Sequence, residues 1–490
     1  MSLTTKVGIG VGAAGAALGI WADVLFRGQP LGLNVLLWTV AFAVALTFLL
    51  RLAHAPLHQG RRWMIAPLIL FAAAFLWHDA PVLVAANLLA LAGAAALGAL
   101  RRTEGRVHRA AVTDYAAGLL AAGFSAAAGA LHLLHKDIDW DETRRAVQSD
   151  RMSSVSRGVA LGLPLLALFG GLFIAADAVF RSLVTAAVPP IEHPLAHVLV
   201  ILVVAWLSVG LLRDLLASRD DHRLISPMAL AARRVPFSLG ATELGIALGA
   251  LNLLFLAFVL VQFRYLFGGK ELVEARTHLT YAQYARHGFF ELLAVSVSIL
   301  LVLLAGDALA RKGSTSGLRL VRLLSASLVG LVFVVMASAL QRMRLYEQAY
   351  GLTELRVYAV GVILWLGAVL VWFAVTVLRG RRDLFAVGAV VAGFAATAVL
   401  NGVNPDALIA RTNLDRPKVD VSYVAGLGDD AVPVLLDRLP SLRPELRRAL
   451  AIELLRRDER HGDWRSFNFA RSRANTLLAQ HRPELVRLSR

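Results

Sequence analysis

A series of apolar runs, most of them about twenty residues long, recurs from residue 7 to about residue 402 and limits what this chain can fold into. Wound as a helix, a run of that length crosses about 30 Å of hydrocarbon. Lipid offers backbone N–H and C=O groups no partner, so each spanning segment must satisfy its own, which a helix does. Runs of this kind predict spans near residues 7–25, 31–50, 64–77, 81–100, 158–177, 195–212, 243–263, 287–305, 318–340, 357–378 and 384–402, eleven in all. The expected fold class is an all-α, polytopic helical membrane protein with a small helical C-terminal soluble tail.

Composition agrees: 58% of the residues are hydrophobic and only 17% charged, outside the range of soluble domains. The net charge of +16 comes mainly from arginines set between apolar runs, where anionic lipid headgroups and the positive-inside rule account for them without nucleic acid. No cysteine occurs, which excludes disulfides, thiolate metal sites and cysteine nucleophiles. The opening "MSLTTKVGIGVGAAGAALGIWA" has the outline of a secretory signal, yet it runs on toward a second span at Leu31, so a retained first helix is expected.

The chain divides into residues 1–114 with four helices, an Ala/Gly-rich interfacial helix and charged connector over 115–157, a membrane core over 158–402, and the helical tail over 403–490. The third span is short and forms a hairpin with the fourth, with Asp79 and Pro81 at the turn. If Asp114 to Leu134 crosses, the spans number twelve. That stretch carries Gly118, Ala122, Ala126 and Ala130 at a four-residue step, and the first span carries Gly8, Gly12 and Ala16. Such series let helix backbones approach closely.

Arg51, Arg61 and Arg62 follow the second span and Arg101, Arg102, Arg106 and Arg109 the fourth, so the N-terminus is expected in the cytoplasm and, with eleven spans, the tail outside. The outer loops then carry Arg264, Arg276, Arg286, Arg342, Arg344 and Arg356. The tail has sixteen basic and twelve acidic residues, turn signals at Asn404-Pro405 and Arg416-Pro417, and helical spacing in "DDAVPVLLDRL" and "RPELRRALAIELLRR".

Chemical motifs are scarce. "KDIDWDE" opens like a calcium loop, but Glu142 and Gln148 stand where glycine and glutamate are needed, so a solvated connector is expected. His54 and His58 have helical zinc spacing but Pro56 lies between them, and His132 with His135 near the aspartates is no more specific. No phosphate loop, nucleophile elbow or dinucleotide fingerprint occurs, so the sequence points to no cofactor and no metal. The first outer loop, "FRGQP", lacks the acidic residues expected of a lipid-phosphate glycosyltransferase, since Asp23 lies inside the preceding helix.

Charges inside spans are the best pointers to function, because an unpaired charge in hydrocarbon costs several kcal/mol. Asp177 and Glu291 qualify. Around Glu291 the sequence gathers Arg264, Tyr265, Gly268, Gly269, Tyr281, Tyr284 and Arg286, with Tyr284, Gly288 and Glu291 on one helical face. A structural salt bridge of Glu291 with Arg264 or Arg286 is the first expectation, and a ligand or partner rim the second.

The stretches "QFRYLFGG", "TYAQYARHGFFELLAV", "LPLLALFGGLFIAADAVF" and "NPDALIARTNLDR" resemble a bacterial multi-pass membrane family, domain of unknown function 4173, with a related family numbered 4153. The resemblance runs from about Arg157 to past Asp430. It implies a bacterial cytoplasmic-membrane protein and transfers no catalytic role. The leading expectation is a non-enzymatic envelope scaffold or sensor whose tail docks a protein partner. A permease with a solute path near Asp177, Arg264, Arg286 and Glu291 comes second, and an enzyme acting on a lipid-linked substrate third. Oligomeric state is not encoded in any motif.

Overall fold

The computed structural model describes residues 2–54, 65–98, 112–140, 142, 194–216, 239–267, 289–310, 315–457 and 462–490. Among these, helices dominate and only one isolated bridge, Leu239 to Ala310, has β character. In chain order the membrane body is built from α1 (Leu3–Phe26), α2 (Leu33–Leu52), α3 (Ile65–Ala74), α4 (Pro81–Gly98), α5 (Val112–His132), α6 (Pro194–Leu216), α7 (Ala241–Phe267), α8 (Phe289–Leu309), α9 (Thr315–Tyr350), α10 (Glu354–Thr376) and α11 (Phe385–Val403). Eight of these are long and apolar enough to cross a membrane, and α3 and α4 are shorter apolar helices. The predicted span at 158–177 lies outside the described residues.

Two packing regimes hold the body together. On one side α1 and α6 lie antiparallel along a glycine seam. A Cβ on Gly19 would lie 2.9 Å from the Ala205 Cβ, and one on Gly129 of α5 only 2.7 Å from the Gly210 Cα, so glycine is what allows these backbones to touch. The predicted small-residue faces are thus used, with a shift in α1: Gly15 and Gly19 meet α6, while Gly8 and Gly12 face Ile138 and Leu133 beyond α5. Polar pairs pin both ends of the seam. Asp23 meets His197 at 2.5 Å, and Arg213 grips Asp137 through two nitrogens. Asp137 is therefore a structural partner, where the sequence predicted a solvated connector.

On the other side α7 to α11 share a core of large side chains, including Phe255, Phe289, Leu328, Ile363, Phe373 and Phe385. Their outward faces are apolar and exposed, as at Leu253, Leu254, Leu260 and Leu301, which suits contact with lipid.

Asn404, in the left-handed region at φ 52°, ends α11 and caps the next helix through its side chain, with Pro405 at the first helical position. From this predicted boundary the tail folds as α12 (Pro405–Leu414), α13 (Val421–Ala425), α14 (Val432–Arg438), α15 (Pro444–Arg456) and α16 (Phe469–Ser489). Ile409, Val432, Leu435, Leu450, Leu454 and Leu485 form its core.

The tail is a cap on one end of the bundle. It contacts the loops after α1, α3 and α9 and the end of α11. The pairs Asp23 with His197, Asn87 with Asn401 and Gln262 with Ser338 fix the helix directions. From them, α1, α3, α7, α9 and α11 run toward the cap, while α2, α4, α6, α8 and α10 run away.

Helix α9 differs from expectation. The predicted span stops at residue 340, yet the helix continues to Tyr350, 36 residues or about 54 Å. Arg342 and Arg344 do not end it, and its last carbonyls find a partner in the cap: Arg416 donates to the oxygens of Glu347, Gln348 and Ala349 at 2.8–2.9 Å. Gly351, at φ +84°, then turns the chain, which favours glycine there.

Candidate functional site

The predicted rim is only partly visible. Arg264 and Tyr265 lie in the last turns of α7 and Glu291 in the first turn of α8, all at the cap-side end of the bundle. Glu291 is exposed. Asp177, Gly268, Gly269, Tyr281, Tyr284 and Arg286 lie outside the described residues. Beside the rim, and missed by the sequence reading, is a buried polar node. The Gln262 carbonyl oxygen accepts from Ser338 at 3.1 Å and from Arg342 at 2.9 Å, and Arg342 is only 9% exposed. Arg342 counted as a loop arginine in the sequence, but in the structure it projects from α9 into the bundle.

The most developed polar site is the junction between cap and body. It grows from the six residues between α3 and α4, where Leu76 to Ala80 turn the chain and leave backbone groups without helical partners. The cap supplies them. Phe469 N donates to the Leu76 oxygen at 2.6 Å, and the Asn468 amide donates to the oxygens of Phe75 and His78 while its own oxygen caps α16. Asp430 accepts from Asp79 N at 2.8 Å, meets His78 Nδ1 at 2.6 Å and receives the Asn404 amide at 3.2 Å. Arg471 completes the site, reaching Asp79 at 2.5 Å and the Ser466 oxygen at 2.9 Å.

His78, Asp79, Asp430, Asn468 and Arg471 are all buried, so each charge depends on its partner. Two glycines make the fit possible. A Cβ on Gly428 would lie 2.5 Å from Asp406 Oδ2, and one on Gly32 would lie 2.6 Å from the Phe467 oxygen. Asp406 is fully buried and accepts from Gly428 N at 2.7 Å. Burial pushes its carboxyl up to about 6, against the lowering pull of that bond.

A second row of contacts lies at the α9–α10 loop. Asn413 exchanges two hydrogen bonds with the backbone of Leu352, and the Tyr423 hydroxyl accepts from Glu354 N, which heads α10. Together the two rows tie four inter-helix connections to one folded cap.

Chemically the junction is a clamp. It offers no nucleophile beside a base, and no group of three His, Cys, Asp or Glu side chains among the described residues is placed to hold a metal ion. In the sequence, Asp79 and Pro81 read as a hairpin turn and Asp429-Asp430 as a helix start. Nothing local linked them, since His78 and Asp430 lie 352 residues apart.

Comparison with curated proteins and with solved structures found no match. Residues 65–438 match the family described as "Domain of unknown function (DUF4153)". The match opens at the first residue of α3 and closes at the last of α14, so it carries both His78-Asp79 and Asp430, the two sides of the clamp. Covering more than half of the chain, it shows that this multi-pass membrane protein belongs to the DUF4153 family.

Proposed function

We propose that the chain is a non-enzymatic scaffold or sensor component of a bacterial cytoplasmic membrane, with an N-terminus in the cytoplasm and a C-terminal cap that docks a protein partner outside. Its resemblance to family 4173 is read as kinship between the two families. The observation that supports this reading is the clamp. Asp79, His78, Asp430 and Arg471 join the cap to helix ends through buried charged bonds, so force or occupancy at the cap acts directly on the loops after α1, α3 and α9.

Site-specific photo-crosslinking in cells, from exposed cap positions Glu445 and Arg473, tests the reading. One discrete protein adduct, lost when Arg471→Met loosens the cap, is the expected result. No adduct from either position would refute it.

The Gln262, Ser338 and Arg342 node supports the permease as a second reading, because a buried arginine in a span marks a solute path more often than a surface one does. Native mass spectrometry of Arg342→Gln beside the wild type separates the two. A small molecule lost from the folded variant would favour transport.

A further inference from the structure

Between the end of α15 and the start of α16 the cap sends a short strap, residues 462–469, back along the membrane body. Asp463 N donates to Gln29 Oε1 at 3.1 Å, Arg465 donates to the Val24 oxygen, and the Phe467 oxygen accepts from Leu33 N at 2.9 Å. Those partners belong to the last turn of α1, the loop after it and the first residue of α2. The strap is therefore held level with the ends of two membrane-crossing helices. At that level it carries three large aromatic side chains turned outward: Trp464 is 61% exposed, Phe469 53% and Phe467 38%.

The body contributes a fourth. Trp77, just past α3, is 64% exposed and its ring lies 5.8 Å from that of Phe469, which in turn lies 5.0 Å from Phe467. Exposed apolar side chains also stand on the two helices whose ends the strap and Phe469 bond: Trp21 and Val24 on α1, Ile69 and Leu70 on α3. Left in water, a contiguous aromatic patch of this kind would be a liability. Tryptophan and phenylalanine at helix-end level are instead what the headgroup boundary of a bilayer accommodates, with apolar rings in the acyl edge and polar atoms in the headgroups.

We propose that the 462–469 strap is an interfacial lipid-binding element: Trp464, Phe467 and Phe469, joined by Trp77, insert into the headgroup layer on the cap side of the membrane. Attachment to the ends of α1 and α3, whose exposed sides are apolar, decides for the bilayer over a protein partner. The cap is then a membrane-seated element, fixed from beneath by its clamp and along its edge by lipid. This inference is independent of the scaffold reading and survives its failure.

The absence of cysteine allows a clean test. Trp464→Cys and Phe467→Cys, each labelled with bimane, are placed in nanodiscs beside Glu445→Cys, which starts α15 at the end away from the clamp. Nitroxide on the lipid headgroup should quench the labels at 464 and 467 but not at 445, and aqueous iodide should do the reverse. Both side chains are exposed, so the fold should tolerate either change, and two positions guard against one failing. Iodide quenching at 464 and 467 equal to that at 445 would overturn the proposal. So would shielding from both quenchers, which would mean that protein covers the strap.

Discussion

The α1–α6 seam and the cap junction both bring distant parts of the chain into backbone contact, by opposite means. The seam is apolar: Gly15, Gly19, Gly129 and Gly210 let helices touch beside Val11, Leu18, Val209 and Leu212, and the polar pairs stand at its two ends. At the junction the charges stand in the middle. Asp79, Asp430, His78 and Arg471 fill the contact, and its glycines, Gly32 and Gly428, serve to let the polar groups meet. The difference follows the solvent. Within lipid, where apolar area gains nothing by moving from tails to protein, close packing is the available attraction. At the membrane boundary loops expose backbone groups that need partners, and a polar clamp supplies them with a geometry that fixes one orientation.

The largest effect should come from breaking the clamp on one side only. Arg471→Met leaves Asp79 buried beside an apolar side chain, at a cost of about 3–5 kcal/mol, and should appear as early melting of the cap in thermal unfolding. Adding Asp79→Leu should restore most of it, because two matched apolar groups are cheaper than a buried charge that has lost its arginine.

At the seam, Gly19→Val should cost about 3 kcal/mol, since the new side chain runs into the Ala205 backbone and Cβ. Here the membrane body should lose stability in a detergent melt while the cap core unfolds as before. Loss of the cap first would break the contrast between the regions.

Asp406 sharpens it further. Its carboxyl titrates near 6 when folded and near 3.8 when unfolded, so the folded state binds more protons between these values and stability falls as pH rises from about 4 to about 6. Above 6 the buried charge costs at most about 3 kcal/mol. Asp406→Asn should therefore raise the melting temperature at pH 8 relative to wild type, and the gain should vanish by pH 4. A difference of the same size at both pH values would contradict this assignment. The smallest effect, about 1 kcal/mol, is expected for Arg416→Gln at the α9 terminus, seen as faster amide exchange in residues 345–350.

How far these features can be read from the sequence depends on their range. The spans are legible because each is a continuous apolar run, and the cap boundary because Asn404-Pro405 is a local stop and start. The small-residue faces are legible as faces, but their register is not, since Gly15 rather than Ala16 meets α6 only once α6 is in place. Helix α9 is misjudged after residue 340 because its arginines look like loop residues until Gln262 is seen to accept from Arg342 and Arg416 of the cap to donate to the helix's last carbonyls. The clamp is invisible for the same reason at greater distance, as Asp79 and Arg471 lie 392 residues apart.

The central claim is that cap and inter-helix loops form one cooperative unit at this end of the membrane body. Hydrogen exchange on wild type and Arg471→Met, followed at the amides of Leu33, Asp79, Gly428 and Phe469, tests it most directly, since each is bonded across or beside the junction. The prediction is slow exchange at all four in the wild type and a joint acceleration in the variant, with the α1–α6 seam unchanged. Fast exchange at Leu33 and Asp79 already in the wild type, or acceleration confined to Phe469, would contradict it.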